Sequence, residues 1–382
     1  MRRIYLDHAA TTPLSQEVLE VMLPWFTRGY GNASSVHGEG REAKRAIENA
    51  RRQVMKALNI AHPQEVYFTA GGTESDNWAV KGVALARGRG HIVTTAIEHH
   101  AVLHACQWLE KQGFDVTYLP VDAYGRVTAD QVEKALRSET ILVSVMAANN
   151  EVGTVLPIGQ IGQLCRDRGV IFHTDAVQAV GAIPLDVQDM NIDLLSLSGH
   201  KLHGPKGVGA LYIRKGVKID SILHGGAQER GYRAGTENVP AIVGLGKAIE
   251  IAQANRTDNA ERMTALRDWL IRGLTERIPQ AHLNGHPTER LPGNVNLSFD
   301  GVEGEALLLR LDLAGVAASS GSACTSGALD PSHVLMALGM TAAQANGAIR
   351  LTLGTETTGN DIADVLEILP PIVEDLRRMT RR

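Results

Sequence analysis

Residues 193–213 read DLLSLSGHKLHGPKGVGALYI, and the fold turns on how the two apolar runs at its ends are related. DLLSLS is a nearly continuous apolar and small-residue run, the pattern of a strand covered on both faces. GALYIR begins only a glycine-rich loop later. A parallel crossover needs a dozen or more residues, so the second run is expected to lie antiparallel to the first. Between them, Lys201 follows directly on the end of a buried strand.

Working outward, the same kind of run recurs as EVYFTA, HIVTT, DVTYLP, TILVSVMAA and VIFHTDAV. Helical segments such as EGREAKRAIENARRQVMKAL and DQVEKALRS separate them. Strands alternating with helices over this length predict an α/β fold: a mostly parallel central sheet flanked by helices. A long helical stretch from about Pro240 to Arg277 then leads to a smaller α+β C-terminal domain, made of NVNLSFDG, a helix from Glu303, the loop AASSGSACTSGA and AIRLTLG with a final helix. The domain boundaries expected are 15–255 for the large domain, and 1–14 plus 256–382 for the small one, with the long helix as hinge.

The chain has 382 residues, 44% hydrophobic and 21% charged, with a formal net charge of −4. No basic face argues for nucleic acid, and the terminal LRRMTRR reads as a solvated helix end favoured by the helix dipole. No run of eighteen apolar residues predicts a membrane span, and MRRIYLDHAATTPL lacks the apolar centre of a signal peptide. Three cysteines without a CxxC pair argue against disulfides and for a reducing, cytoplasmic setting. Cys106 and Cys165 fall in helix-patterned segments and read as quiet, partly buried thiols. Cys324 does not, because its neighbours are serine, glycine, alanine and threonine, with nothing large to bury it.

Ligands of an open parallel sheet bind beyond the carboxyl ends of the strands. There the sequence puts Gly72 and Thr73, opening a helix as an anion cradle or as a routine turn and N-cap. It puts His99 at a strand–helix junction, and Asn150 as either a turn residue or a ligand partner. Asp175 follows with Gln178, a carboxylate that is costly there unless paired or well hydrogen-bonded. Lys201 is a candidate nucleophile. His100 and His104 share a helix face, but a third metal ligand and the HExxH glutamate are missing. An anion cradle, a carboxylate, a lysine and an imidazole at one edge match the needs of pyridoxal 5'-phosphate: a covalent lysine, an acid for the pyridinium nitrogen and a phosphate site.

The segments YLDHAATTP, YGNASSVH, TAGGTESDN, EHHAV, NNEVG, HTDAVQ, SGHKLHGPKGVGALY, ERGYRAGTENV and SSGSACTSG, in this order and nearly end to end, resemble those of the cysteine desulfurases. These are the NifS/IscS branch of the class-V aminotransferase-like, fold-type-I pyridoxal-phosphate enzymes. The resemblance implies that Lys201 holds the cofactor covalently and shuttles a proton. Asp175 would pair with the pyridine nitrogen, Gln178 lie near the ring oxygen, and His99 stack on the ring and assist proton transfer. Gly72, Thr73, Ser198 and His200 would hold the phosphate, with Thr236 reaching it from the second subunit of a homodimer. Asn150 and Arg350 would position the substrate. That substrate would be L-cysteine, whose sulfur passes to Cys324 as a persulfide and on to an acceptor or iron–sulfur scaffold protein. No intrinsic metal is implied, although Cys324 would transiently ligate an iron–sulfur cluster. The loop of Cys324 carries no cation, so the thiol is expected to be activated on arrival, by His99, Arg350 or the cofactor.

His8 departs from the small or amide residue many relatives carry. EDLRRMTRR stops short of the tail with which housekeeping members dock a scaffold, leaving the acceptor open. The rival readings are an aminotransferase or selenocysteine lyase, and a non-catalytic sulfur-relay or metal-binding protein. A dinucleotide site is weaker still, since no GxGxxG follows a first strand.

Overall fold

The computed structural model describes residues 3–320 and 331–380. Cys324 lies outside the described residues. Twelve strands are present among them. A two-residue β1 (Ile4–Tyr5) is followed by β2 (Val66–Thr69), β3 (His91–Thr95), β4 (Asp115–Leu119), β5 (Thr140–Ser144), β6 (Ile171–Asp175), β7 (Leu194–Ser198) and β8 (Gly209–Ile213). The remainder are β9 (Ala281–Leu283), β10 (Asn294–Phe299), β11 (Val316–Ala317) and β12 (Ala348–Thr352).

Seven strands form one sheet in the order β2-β8-β7-β6-β5-β3-β4. All pairings from β7 to β4 are parallel, and β8 runs antiparallel to both β7 and β2. The reversed GALYI strand is therefore as the short loop predicts. It also turns β2 to point the same way as β3, β4, β5, β6 and β7, so six strand ends open on one edge.

Why both faces are covered follows from the sequence. Every residue of β6, β7 and β8 is buried. On one face the Gly38–Ala57 and Val239–Ala254 helices close a core containing Ile47, Val54, Phe172 and Leu245. On the other, the Gly72–Arg87 and His100–Glu110 helices bury Trp78, Val83, Cys106 and Leu109. Cys165 is buried on the Ile158–Arg168 helix, and burial pushes its thiol up to about 12. Neither cysteine is reactive in such surroundings.

A separate core gathers Ile4 and Leu6 with Leu270, Phe299, Leu307, Leu351 and Leu369. Around it lie the antiparallel sheet β12-β10-β9 and the parallel pair β1–β11. The single long helix expected from Pro240 to Arg277 is instead two, Val239–Ala254 and Arg256–Arg277, meeting at Asn255. Asn255 has left the helical region (φ −101°, ψ 6°), and its side-chain amide donates to the carbonyl of Ile251 at 3.2 Å. Asparagine competes with the helix for backbone groups in this way, which the apolar periodicity does not register.

Candidate active site

The edge where the six strands end holds a cavity of about 370 Å³. After β2, Gly71 takes φ 155°, which L side chains avoid, and swings the chain into the Gly72–Arg87 helix. A Cβ on Gly72 would stand 2.7 Å from Cγ2 of Val177, so only glycine lets this helix start approach the β6 end. Gly72, Thr73 and Ser198 line the cavity. The first N–H groups of a helix have no intrahelical acceptor, and with the helix dipole they favour an anion.

After β3, His99 caps the His100–Glu110 helix by accepting the Ala101 N–H on Nδ1 at 3.1 Å. Burial, helped by His100 and Lys201, lowers its pKa to about 4. The ring is therefore neutral at pH 7, and with Nδ1 accepting, its proton sits on Nε2. After β5 two asparagines divide the work. Asn149 makes the turn, its Oδ1 accepting the N–H groups of Glu151 and Val152 at 2.9 Å each. Asn150 faces the cavity instead.

After β6, Asp175 accepts the Val177 N–H at 2.9 Å. Burial raises its pKa to about 6, with the charge of Lys201 opposing the shift. After β7, His200 contacts the Thr11 hydroxyl at 3.1 Å, and Nζ of Lys201 donates to the carbonyls of Ala9 and, at 2.7 Å, Ala10. Gln178 also donates to the Ala9 carbonyl, at 2.9 Å. From β12, the buried guanidinium of Arg350 enters the same cavity. Its Nη1 donates to the Asn150 carbonyl at 2.9 Å and its Nη2 to Oδ1 of Asp7 at 3.0 Å.

Ten of the residues singled out in the sequence thus meet around one space: Gly72, Thr73, His99, Asn150, Asp175, Gln178, Ser198, His200, Lys201 and Arg350. Thr236 is on an exposed loop and does not line it. That loop is nevertheless tied to the helix start, since Arg233 forms a forked ion pair with Glu74 at 2.8 and 3.0 Å. The His100–His104 pair packs ring against ring (centroids 5.0 Å apart), with His333 at 4.6 Å from His100. Among the described residues the one compact cluster of metal-ligating side chains is Asp76, His99 and Asp175, so the two histidines gather no third ligand.

Sequence reasoning missed four contributors: Ala9, Ala10, Asp7 and Asp76. The carbonyls of Ala9 and Ala10 carry no side-chain signal. Asp7 lies 343 residues from Arg350, and no strand-end rule points to it. Asp76 was findable, being one helical turn beyond Gly72 and so on the same face.

The site's histidines also set a pH dependence. His8, His99 and His200 are held at about 4, and His173 at about 3, in each case chiefly by burial. Unfolded imidazoles titrate near ~6.5, so between pH 4 and 6.5 the unfolded chain binds more of these protons. Their contribution is complete above 6.5 and lost as pH falls through 4. Glu98, raised to about 8, and Asp175, raised to about 6, act in the opposite sense. Above pH 6.5 Glu98 still titrates, together with Asp76, whose carboxyl burial pushes well above the usual range. Urea unfolding of the cofactor-free protein is expected to show maximal stability between about pH 6 and 7, with a steep loss toward pH 4; a flat profile over that range would contradict it.

A family model for the class-V aminotransferases (Aminotransferase class-V) matches residues 4–365. The chain belongs to the class-V aminotransferase family. Within it, the chain is 57% identical over 381 residues to the cysteine desulfurase IscS of Methanosarcina thermophila, covering 99% of this chain and 94% of that one. It is 55% identical to cysteine desulfurase IscS of Clostridium botulinum (strain Hall), covering 99% and 96%. A solved NifS-like protein superimposes with a TM-score of 0.92 at 40% identity, covering 98% of this chain and all of that one. A structure of SspA in complex with cysteine gives 0.79 at 39%, covering 92% and 98%.

The cofactor of this class-V enzyme is pyridoxal 5'-phosphate, and the residues present fit it. A lysine amine reaches the cavity, a buried carboxylate stands there at a raised pKa that a ring cation would relieve, and a side-chain-free helix start offers a phosphate its N–H groups.

Proposed function

We propose that this chain is a cysteine desulfurase, converting L-cysteine to L-alanine and taking the sulfur onto Cys324 as a persulfide. The observation that carries the reading is the convergence of Lys201, Asp175 and Arg350 on one cavity of about 370 Å³, in a chain so similar to named desulfurases. Bound pyridoxal phosphate supplies an electron sink for bond breaking at the substrate's α-carbon.

The protein's own groups do the rest. Arg350 binds the substrate carboxylate, with its fork held in place by Asp7 and the Asn150 carbonyl. Asn150 completes the positioning. Lys201 holds the cofactor and moves the α-proton. Asp175 holds the ring nitrogen in its charged form, Gln178 lies by the ring oxygen, and Gly72, Thr73, Ser198 and His200 take the phosphate. His99, neutral with its proton on Nε2, stacks on the ring and acts as a hydrogen-bond donor. For an arriving Cys324 thiolate that makes it a stabiliser rather than a base. The thiolate attacks the substrate sulfur, an S–S bond forms, and the C–S pair stays with the carbon skeleton, which is protonated to alanine.

The persulfide then serves an acceptor protein in iron–sulfur assembly or another thiolation pathway. A homodimer, with Thr236 reaching the partner's phosphate, is supported by the exposed loop that carries it and by exposed Leu23, Phe26, Tyr30 and Val36. The division into 15–255 and 1–14 plus 256–382 is supported by the separate core shared by Ile4 and the C-terminal helices. Two buried free thiols among the described residues support a cytoplasmic setting, and among those residues no helix is long and apolar enough to cross a membrane.

The test is product analysis. Cofactor-loaded protein given L-cysteine and a thiol reductant should release alanine and sulfide in equal amounts; pyruvate or a keto acid in place of alanine would overturn the reading. Loss of a charge-assisted fork costs about 1.5–3 kcal/mol, or roughly 10- to 100-fold. Arg350→Ala is therefore expected to raise KM for cysteine by that factor, with a smaller change in kcat. Arg350→Lys should recover little, because an ammonium cannot reproduce the planar fork.

A further inference from the structure

Beside Asp175 in the cavity lies a second carboxyl that the proposed mechanism does not use. Asp76 is 1% exposed, lines the cavity beside Asp175, and has an oxygen within 4.8 Å of both an Asp175 oxygen and a His99 ring nitrogen. Its Oδ1 has no hydrogen-bond partner among the described residues. Among the described residues the one nitrogen near enough for an ion pair is Nε2 of His173 at 3.7 Å. That ring is no cation, because it is fully buried between the hydroxyls of Ser144 (2.8 Å) and Ser196 (3.0 Å), with its pKa lowered to about 3.

Two carboxyls this close in a buried site cannot both ionise cheaply. The groups facing Asp76 are Asp175 and His173 from β6, Ser196 from β7, and Glu98 and His99 from the segment after β3. Of these Asp175 and Glu98 repel a charge on it, and only the Ser196 hydroxyl favours one. Burial is the largest influence, and it pushes the Asp76 carboxyl well above the usual range.

We propose that Asp76 is a positioning residue for the cofactor: as a neutral acid it seats Asp175 and leaves that one carboxylate to face the cationic ring nitrogen. This rests on the assignment of Asp175 above. A single negative charge then meets a single positive charge. A second charge would over-neutralise the pair, and an apolar side chain would let Asp175 shift.

The experiment titrates pyridoxal phosphate into cofactor-free wild type, Asp76→Asn and Asp76→Leu, following absorbance. It then records the absorbance of each loaded protein against pH. Asparagine mimics a neutral acid in shape and polarity. Asp76→Asn is expected to bind the cofactor within about twofold of wild type with an unmoved pH midpoint, and Asp76→Leu to bind at least about tenfold more weakly. The proposal is overturned by an Asn variant as weak as the Leu variant, by an Asn midpoint displaced by a unit or more, or by a Leu variant equal to wild type. Thermal unfolding of the cofactor-free forms checks the fold; should Asp76→Leu not fold, Asp76→Ser, too small to overpack, is read in the same way. Failure of the wild type to take up the cofactor would count against the proposed function instead, so the two failures are distinguishable.

Discussion

Replacing Lys201 by alanine is expected to lower alanine production from L-cysteine by at least about a thousand-fold, because one amine serves both as covalent anchor and as proton carrier. Wild-type protein treated with borohydride should retain its cofactor through denaturation by a covalent bond, and the variant should release all of it. The same substitution reaches beyond chemistry. It removes the ammonium that the carbonyls of Ala9 and Ala10 accept, while Gln178 still serves Ala9. A loss of about 1–2 kcal/mol in the cofactor-free protein follows from one unpaired, partly buried acceptor, measurable by urea unfolding. A variant retaining more than a few per cent of activity would remove Lys201 from the mechanism.

Cys324→Ser is the second large effect. A hydroxyl is a far weaker nucleophile toward sulfur than a thiolate at neutral pH, and an oxygen cannot carry the transferred sulfur as a persulfide. Desulfuration is expected to fall below about one-thousandth of wild type, while the yellow cofactor stays bound and its affinity is unchanged. That separation matters, because a transaminase or a lyase releasing sulfur directly would lose nothing with this thiol. Undiminished alanine formation by the serine variant would return the chain to those alternatives.

The large sheet was readable because its information is local. Each buried strand declares itself as an apolar run, the antiparallel β8 follows from a short loop, and the strand-end rule then collects Gly72, His99, Asn150, Asp175 and Lys201 in advance. Arg350 and Thr236 came only through family resemblance, since neither sits at an end of the large sheet. What stayed hidden is either non-local or backbone. The Asp7–Arg350 pair joins opposite ends of the chain, the acceptors for Lys201 are carbonyls that any residue provides, and the break at Asn255 depends on one side chain outcompeting a helix that periodicity favours. Asn149 and Asn150 show the limit at its sharpest: adjacent and identical in type, one makes the turn and the other faces the cavity, and composition cannot say which.

The opening segment holds both cationic side chains of the cavity while being fastened at its far side by residues near the other terminus. Leu6 bonds the backbone of Ala317 at 2.9 Å and of Thr352 at 2.7 Å, and the amide of Ala9 bonds the Thr352 hydroxyl at 2.9 Å. During synthesis those fasteners emerge last. At translation speeds of ~5–20 residues per second, the first ten residues wait on the order of 20–70 s for their partners to leave the ribosome. The large sheet can assemble in that interval, whereas the side of the cavity lined by Ala9, Ala10 and Arg350 takes its final form only once Thr352 has emerged.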